Sequence, residues 1–267
     1  MIRSIQLRDP LVAEYHRADL TEGVPDVGTV DAVVHLAGLA AVGPSFDDPQ
    51  RYLEVNSGIM THLGEWLVDA GSSARVVVVS TGAVYEGQQP QPLSETSAVR
   101  LGSPYVISKR LVEMQAEYYR TRGIDVVVAR PFNHIGPGQV TGFLIPDLYA
   151  QLVGGGEVAV GNLSSSRDYT DVRDVCRAYR LLTETPSLAH GLYNVCSGQS
   201  VVGHEILRLV AEAVGRDDVA TQTDAALLRP DDASAITGSA ARLHTETGWK
   251  PQLTVEESIA DFVAAQA

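Results

Sequence analysis

The stretch that decides the fold is VVVVSTG, residues 76–82, an apolar β-branched run that ends in small and polar residues. A run that is apolar on both faces is typical of a strand buried in a parallel sheet. Similar runs recur along the chain, and they predict strands at Ile2 to Leu7, Ala32 to Leu36, Val76 to Ser80, Asp125 to Ala129 and Tyr193 to Val195. Longer amphipathic stretches between them predict helices at Pro49 to Ala70, Pro104 to Arg122 and Asp171 to Thr183. This alternation predicts an α/β fold with a doubly wound parallel sheet.

The pattern loosens after about Pro131 into Gly- and Pro-rich connections. Further helices are predicted there at Val202 to Val214, Ser239 to Thr247 and Thr254 to Ala264. We expect a core over residues 1–131, to which residues 168–198 return. Residues 132–167 and 199–267 are expected to form a smaller cap region.

Composition and charge exclude several kinds of partner. Hydrophobic residues make up 45% and charged residues 20% of the 267 positions, which is typical of a folded globular chain. A net charge of −13 repels phosphate backbones and anionic lipid, so neither nucleic acid nor a membrane surface is an expected partner. The chain has two cysteines, Cys176 and Cys196, which are too few for a disulfide framework, so we expect a cytoplasmic protein. Their spacing is not that of metal ligands, so no metal is expected.

Polar and small residues follow three of the predicted strands. These are His35 to Gly38, Ser80 to Gly82 and Arg130 to Asn133. In open α/β sheets ligands bind beyond the carboxyl ends of the strands. These three segments are therefore the first candidates for a binding site.

Tyr105 and Lys109 form the strongest catalytic candidate. The chain has only two lysines, and Lys109 stands four residues after Tyr105, so the two side chains share a helix face. A nearby lysine stabilises a phenolate and is expected to lower the pKa of the tyrosine, which favours proton transfer. Thr81 lies 24 residues before Tyr105 at a strand end, where its hydroxyl can bind the same substrate oxygen.

These features resemble the extended short-chain dehydrogenase/reductases, the NAD-dependent epimerase/dehydratase superfamily. STGAVY at residues 80–85 looks like the strand-end motif of this family, and HLAG at 35–38 resembles its dinucleotide-contacting turn. RPFNHIGPGQ at 130–139 and RDYTDVRD at 167–174 look like the branch of GDP-4-keto-6-deoxy-mannose reductases. The likeness extends over nearly the whole chain.

The resemblance implies a role for each matching residue. Tyr105 would be the general acid, Thr81 its hydrogen-bonding partner, and Lys109 would tune the pKa of Tyr105. NADP or NAD would be held by Arg8, Asp19, Leu20, Leu36, Ala37, Gly38, Asn56, Lys109 and Pro131. The substrate, a nucleotide-diphosphate sugar, would be held by Thr81, Asn133, Arg167 and Arg229.

One family feature is not found in the sequence. No Gly-rich turn precedes His35, and Ile2 to Leu7 resembles the second strand of the family instead of the first. The expectation is an N-terminally truncated Rossmann-like sheet that binds the dinucleotide weakly. Three explanations stay open: a late start of the sequence, a natural enzyme that uses weak binding or another chain, and a protein without redox function.

The residues after Thr81 bear on the reaction. Related dehydratases carry an acidic pair there, whereas this chain has Gly82 and Ala83, so a dehydratase is disfavoured. We expect a reductase of a nucleotide-linked 4-keto-6-deoxy-hexose, with hydride from NADPH to C4 and a proton from Tyr105. The alternatives are a 4-epimerase and a non-redox sugar-nucleotide-binding or partner subunit.

We also expect a homodimer.

Overall fold

The computed structural model describes residues 11–216, 218–228 and 233–266. The predicted strand at Ile2 to Leu7 and the candidate residues Arg8 and Arg229 lie outside these ranges. The strands are β1 (Ala32–His35), β2 (Arg75–Val79), β3 (Asp125–Pro131), β4 (Asn133–Ile135), β5 (Val158–Val160), β6 (Ser166–Asp171), β7 (Leu192–Val195), β8 (Ser200–Val202), β9 (Thr221–Thr223) and β10 (Ala235–Ile236). The helices are α1 (Val42–Ser45), α2 (Pro49–Asp69), α3 (Pro104–Thr121), α4 (Leu144–Gly154), α5 (Val172–Glu184), α6 (Gly203–Ala213), α7 (Ala241–Thr247) and α8 (Val255–Ala264).

The main sheet has the order β1-β2-β3-β7, and its strand pairs are all parallel. Val77 pairs with Val34 on one side and with Val127 on the other, and its side chain is fully buried. Parallel strands covered on both faces need apolar residues at successive positions, which explains the valine run.

Helices cover both faces of this sheet. On one face Val76 and Val128 pack with Met60 of α2 and Val112 of α3. On the other face the alternate residues of the same strands pack against α5, α7 and the fully buried Trp249. The predicted doubly wound α/β fold is therefore confirmed.

The two long helices begin where the sequence carries capping signals. Asp48 accepts a hydrogen bond from the Arg51 N–H, and Pro49 follows at the first helical position. Ser103 likewise accepts from the Val106 N–H ahead of α3, with Pro104 next. Because Tyr105 follows Pro104, it lies in the first turn of α3.

The C-terminal half forms smaller sheets around a second core. β6 pairs with β4 and β10 in parallel and with β8 antiparallel, while β5 pairs with β9. The core between these strands and α4, α6 and α8 includes Leu148, Leu152, Ile206 and Phe262. None of the helices in the described ranges has both the length and the apolar character needed to cross a bilayer.

One buried carboxylate joins this half to the main sheet. Asp168 of β6 accepts hydrogen bonds from the N–H groups of Ser197, Gly198 and Gly238, at 2.8, 3.0 and 3.0 Å. The Ser197 hydroxyl donates to it as well, at 2.6 Å. Ser197 and Gly198 follow β7, so the end of the main sheet is held against β6.

Candidate active site

The carboxyl ends of β1, β2 and β3 lie at one edge of the main sheet. Because the strands are parallel and in register, the residues that follow them face the same crevice. These residues are Leu36 to Gly38 after β1, Ser80 to Gly82 after β2, and Pro131 to Asn133 at and beyond the end of β3.

Thr81 and Tyr105 meet at this edge. The Thr81 side chain lies close enough to the Tyr105 hydroxyl to lower its pKa, and both residues are buried. Thr81 also accepts a hydrogen bond from the Ala83 N–H at 3.1 Å, which begins a short 3₁₀ turn over Gly82–Val84. The turn fixes the Thr81 hydroxyl against the first turn of α3. This pair was predicted from the sequence.

Lys109 lies one helical turn beyond Tyr105. Its Nζ donates to the carbonyl oxygen of Val79 at 2.9 Å, so the side chain is anchored to the end of β2. Burial lowers the pKa of Lys109 to about 8, and the nearby Glu113 carboxylate opposes this change. His35 at the end of β1 feels the Lys109 charge, and burial together with that charge lowers the His35 pKa to about 4.

The pKa of Tyr105 differs from the expectation drawn from its spacing to Lys109. Burial raises the pKa of Tyr105, and the neighbouring Thr81 side chain only partly offsets this effect. The i,i+4 spacing correctly predicted a shared helix face, but the same burial that protects the site disfavours the phenolate. Tyr105 is therefore a neutral phenol that can donate a proton.

Asn56 shapes the turn after β1. Its Oδ1 accepts from the Leu39 N–H at 2.7 Å, and its Nδ2 donates to the Leu39 carbonyl and to the Ser108 hydroxyl of α3. A Cβ at Gly38 would lie 2.7 Å from Asn56 Oδ1 and 4.0 Å from Lys109 Nζ, and the Gly38 φ of +147° is rare for other residues. Asn56 thus holds an open, glycine-containing turn beside Lys109.

The other candidate cofactor residues occupy varied positions. Leu36 is 62% exposed beyond β1, whereas Pro131 is buried at the end of β3. Asp19 is exposed and accepts from the N–H and hydroxyl of Thr21, which closes a small turn. The Leu20 carbonyl lies 3.1 Å from His62 Nδ1 of α2, so this turn is attached to the helix.

Asn133 and Arg167 form a second polar group. Asn133 lies beside the buried Tyr169, whose pKa is raised by burial and lowered in part by the Asn133 side chain and the Arg167 charge. Arg167 donates to the carbonyls of Ser166 and Ala233, at 2.7 and 2.9 Å. Tyr169 was not among the residues singled out from sequence, although it pairs directly with Asn133 in the β4–β6 register.

Glu113 is a further residue that sequence reasoning missed. It is buried one turn after Lys109 and accepts hydrogen bonds from Ser80 and Arg130. The signal that could have found it is the repeat of four residues along α3, from Tyr105 to Lys109 to Glu113. A glutamate on a buried helix face requires a partner, and Arg130 provides one.

A doubly wound parallel sheet with Thr, Tyr and Lys at its carboxyl edge defines the class of Rossmann-like enzymes of the short-chain dehydrogenase/reductase type. The chain belongs to the NAD dependent epimerase/dehydratase family, whose sequence pattern matches residues 9–196.

Two of the sequence relatives are named as enzymes of GDP-linked 6-deoxy sugars. The chain is 37% identical over 264 residues to GDP-6-deoxy-D-mannose reductase of Pseudomonas aeruginosa, with 91% of this chain and 84% of that protein covered. It is 31% identical over 217 residues to GDP-6-deoxy-D-talose 4-dehydrogenase of Aggregatibacter actinomycetemcomitans, covering 80% of this chain and 71% of that one.

One solved structure is similar to the chain in both fold and sequence. RMD from Pseudomonas aeruginosa, complexed with NADPH, matches with a TM-score of 0.85 and 35% identity, covering 94% of this chain and 87% of that one. The predicted family and the predicted nicotinamide dinucleotide are therefore confirmed: the chain is a member of an NAD(P)-dependent enzyme family.

Proposed function

We propose that the chain reduces a nucleotide-linked 4-keto-6-deoxy-hexose, with Tyr105 as the proton donor. The observation that carries the proposal is the close approach of the buried Thr81 and Tyr105 beside Lys109, in a chain 37% identical to a GDP-6-deoxy-D-mannose reductase. A second relative is named as a 4-dehydrogenase of a GDP-linked 6-deoxy sugar, which supports C4 as the reacting carbon. GDP-4-keto-6-deoxy-mannose is the first substrate to assay.

The reaction adds a hydride to C4 and a proton to the oxygen on C4, which converts the ketone into a secondary alcohol. NADPH, when bound, supplies the hydride. Thr81 orients the carbonyl oxygen through its hydroxyl, and the buried neutral Tyr105 gives that oxygen its proton. The positive charge of Lys109 then stabilises the phenolate that remains.

The residues around Lys109 fit the ribose next to a nicotinamide. An ammonium group has three N–H donors, and the contact with Val79 uses one of them. The neighbouring Gly38 has no side chain to obstruct approach to the turn after β1. We propose that Leu36, Ala37, Gly38, Asn56, Lys109 and Pro131 hold the dinucleotide, together with Asp19 and Leu20. Arg8 is proposed for the same role from sequence alone.

Asn133 and Arg167 are proposed to bind the sugar diphosphate. A guanidinium fork suits phosphate oxygens, and the amide of Asn133 adds a donor from the end of the main sheet. Arg229 is proposed to join them on its sequence match alone. In this proposal residues 132–167 and 199–267 form the substrate-binding region.

The residues after Thr81 support a reductase over a dehydratase. Neither Gly82 nor Ala83 can transfer a proton. A Cβ at Gly82 would also lie 2.8 Å from the Phe132 ring, so a carboxylate side chain there would force Phe132 to move.

We also propose that the enzyme is a cytoplasmic homodimer. Ile107, Met114 and Tyr118 are 39%, 60% and 51% exposed, and their spacing puts them along one side of α3. Such a stripe is a candidate contact with a second copy of the chain. Both cysteines are free thiols, which supports a reducing compartment. Analytical ultracentrifugation of Met114→Glu tests the dimer: a monomeric variant beside a dimeric parent supports it, and a monomeric parent contradicts it.

The test of function follows NADPH absorbance with GDP-4-keto-6-deoxy-mannose. The proposal expects one NADPH oxidised for each keto sugar consumed. An epimerase would interconvert a nucleotide hexose and its C4 epimer without net NADPH loss. A non-redox binding protein would do neither, while still binding the sugar nucleotide in calorimetry. Either of these two results would overturn the reductase proposal.

A further inference from the structure

A single buried carboxylate connects the three elements that carry the candidate active site. Glu113 of α3 is 3% exposed, and its Oε1 accepts from the Ser80 hydroxyl at 2.5 Å. Arg130 of β3 forms a bidentate ion pair with the same carboxylate, with Nε 2.8 Å from Oε1 and Nη2 2.7 Å from Oε2. Arg110 forms a further ion pair with Oε2.

The partners of Glu113 are the immediate neighbours of active-site residues. Ser80 directly precedes Thr81, and Arg130 directly precedes Pro131. Glu113 itself lies two helical turns after Tyr105, on the same buried side of α3. The carboxylate therefore sets how the ends of β2 and β3 lie against the helix that carries the proton donor.

Glu113 also acts on the charge of Lys109. In the part of the chain that the structure describes, the groups near Lys109 are His35 from β1, Tyr105 and Glu113 from its own helix, and the Val79 carbonyl from β2. His35 is neutral near pH 7 because its pKa is about 4, so Glu113 is the anion that opposes the desolvation of Lys109. Burial drives the Lys109 pKa down to about 8, which is close enough to neutrality for loss of this anion to matter.

We infer that Glu113 is a positioning residue for the reduction: it holds the ends of β2 and β3, and with them Thr81, against α3, and it places an anion one helical turn from the Lys109 ammonium. This inference rests on the proposed function. It assigns two separable effects to one side chain, a geometric one through the Ser80 contact and an electrostatic one through Lys109.

Lysine-selective NMR tests the electrostatic effect without substrate. The chain contains only Lys109 and Lys250, so labelled lysine gives two signals, and Lys250→Arg assigns them. We expect Glu113→Gln to lower the Lys109 pKa by about one unit. Glu117→Gln, an exposed position one turn further along α3, is the matched control and should leave that pKa unchanged. An unchanged Lys109 pKa in folded Glu113→Gln would overturn the electrostatic role.

Steady-state kinetics test the geometric effect. Ser80→Ala keeps the Glu113 charge and the Arg130 pair, so we expect kcat to fall about fivefold or more while KM and the alkaline limb of the pH profile stay in place. In Glu113→Gln the alkaline limb should move to lower pH as well. If Ser80→Ala keeps the parent kcat, the geometric role is wrong.

The variants also cover two other possible results. If Glu113→Gln does not fold, Glu113→Asp replaces it. The aspartate keeps the negative charge, but its side chain is one CH₂ shorter, so kcat should fall while the Lys109 pKa stays unchanged. A parent chain that oxidises no NADPH with the keto sugar would reject the proposed function. The lysine titration would still decide whether Glu113 controls the charge of Lys109.

Discussion

Lys109 Nζ lies 2.9 Å from the carbonyl oxygen of Val79, so the ammonium of α3 is fastened to the last residue of β2. Thr81 follows two residues later and lies beside the hydroxyl of Tyr105, which is one turn before Lys109. The end of β2 therefore contacts α3 at Lys109 and at Tyr105, the proposed proton donor. This geometry makes the proposed roles testable one residue at a time.

Tyr105→Phe should reduce kcat by about 10² to 10⁴-fold, because it removes the proton donor and leaves the ring in place. Affinity for the sugar nucleotide should stay nearly the same, since one hydroxyl contact is lost. NADPH oxidation and calorimetry measure the two effects. Tyr15→Phe, at an exposed position outside α3, is the control. Retention of more than about a third of the parent rate would show that Tyr105 is not the acid.

Arg167→Ala should raise KM for the sugar nucleotide about tenfold or more and leave kcat nearly unchanged. A charged contact to the diphosphate contributes about 1.5 to 3 kcal/mol and acts alike in ground and transition states. Arg208→Ala removes an exposed arginine of α6 that pairs with Glu205 and Glu212, and serves as control. Equal KM values for Arg167→Ala and the parent would show that Arg167 does not bind the diphosphate.

His35 should make the fold sensitive to mild acid. Its pKa in the folded chain is about 4, below the ordinary value of 6.5, so between these values the unfolded chain binds the proton and the folded chain does not. Stability is therefore full above pH 6.5 and falls as the pH drops toward 4, by about 3 kcal/mol from this group.

Urea unfolding at a series of pH values measures this effect. We expect His35→Gln to lose less stability than the parent between pH 6.5 and 4. The exposed His204 provides the control substitution, His204→Gln, which should follow the parent. Parallel curves for His35→Gln and the parent would contradict the prediction.

Two glycines of α2 should respond in opposite ways to alanine. A Cβ at Gly64 would clash with the Tyr119 ring of α3, so Gly64→Ala should destabilise the fold by about 1 to 3 kcal/mol. At Gly58 the same Cβ meets open space, and Gly58→Ala should stabilise the helix by about 0.5 to 1 kcal/mol. Chemical denaturation compares both with the parent. Equal stabilities would mean that α2 and α3 do not pack as described.

The local periodicity of the chain was sufficient to predict most of the main sheet and its helices. Val76 to Ser80 was predicted as a strand and is found at Arg75–Val79, while Pro104 to Arg122 is found as the helix Pro104–Thr121. Buried parallel strands and capped amphipathic helices leave their pattern in consecutive residues. The helix at Leu144–Gly154 was missed because its N-cap residue, Phe143, provides no side-chain cap and its apolar residues lack a clear polar face.

Sequence by itself determined that Tyr105 and Lys109 share a helix face, because residues four apart in an α-helix lie about one turn apart on the same side. Tertiary structure alone decided the direction of the Tyr105 pKa, since desolvation depends on what covers the phenol. It also decided that Glu113 meets Ser80 and Arg130, which lie 33 and 17 residues away along the chain. Periodicity reports only on neighbours within a few turns, so pairs joined by folding leave no such trace.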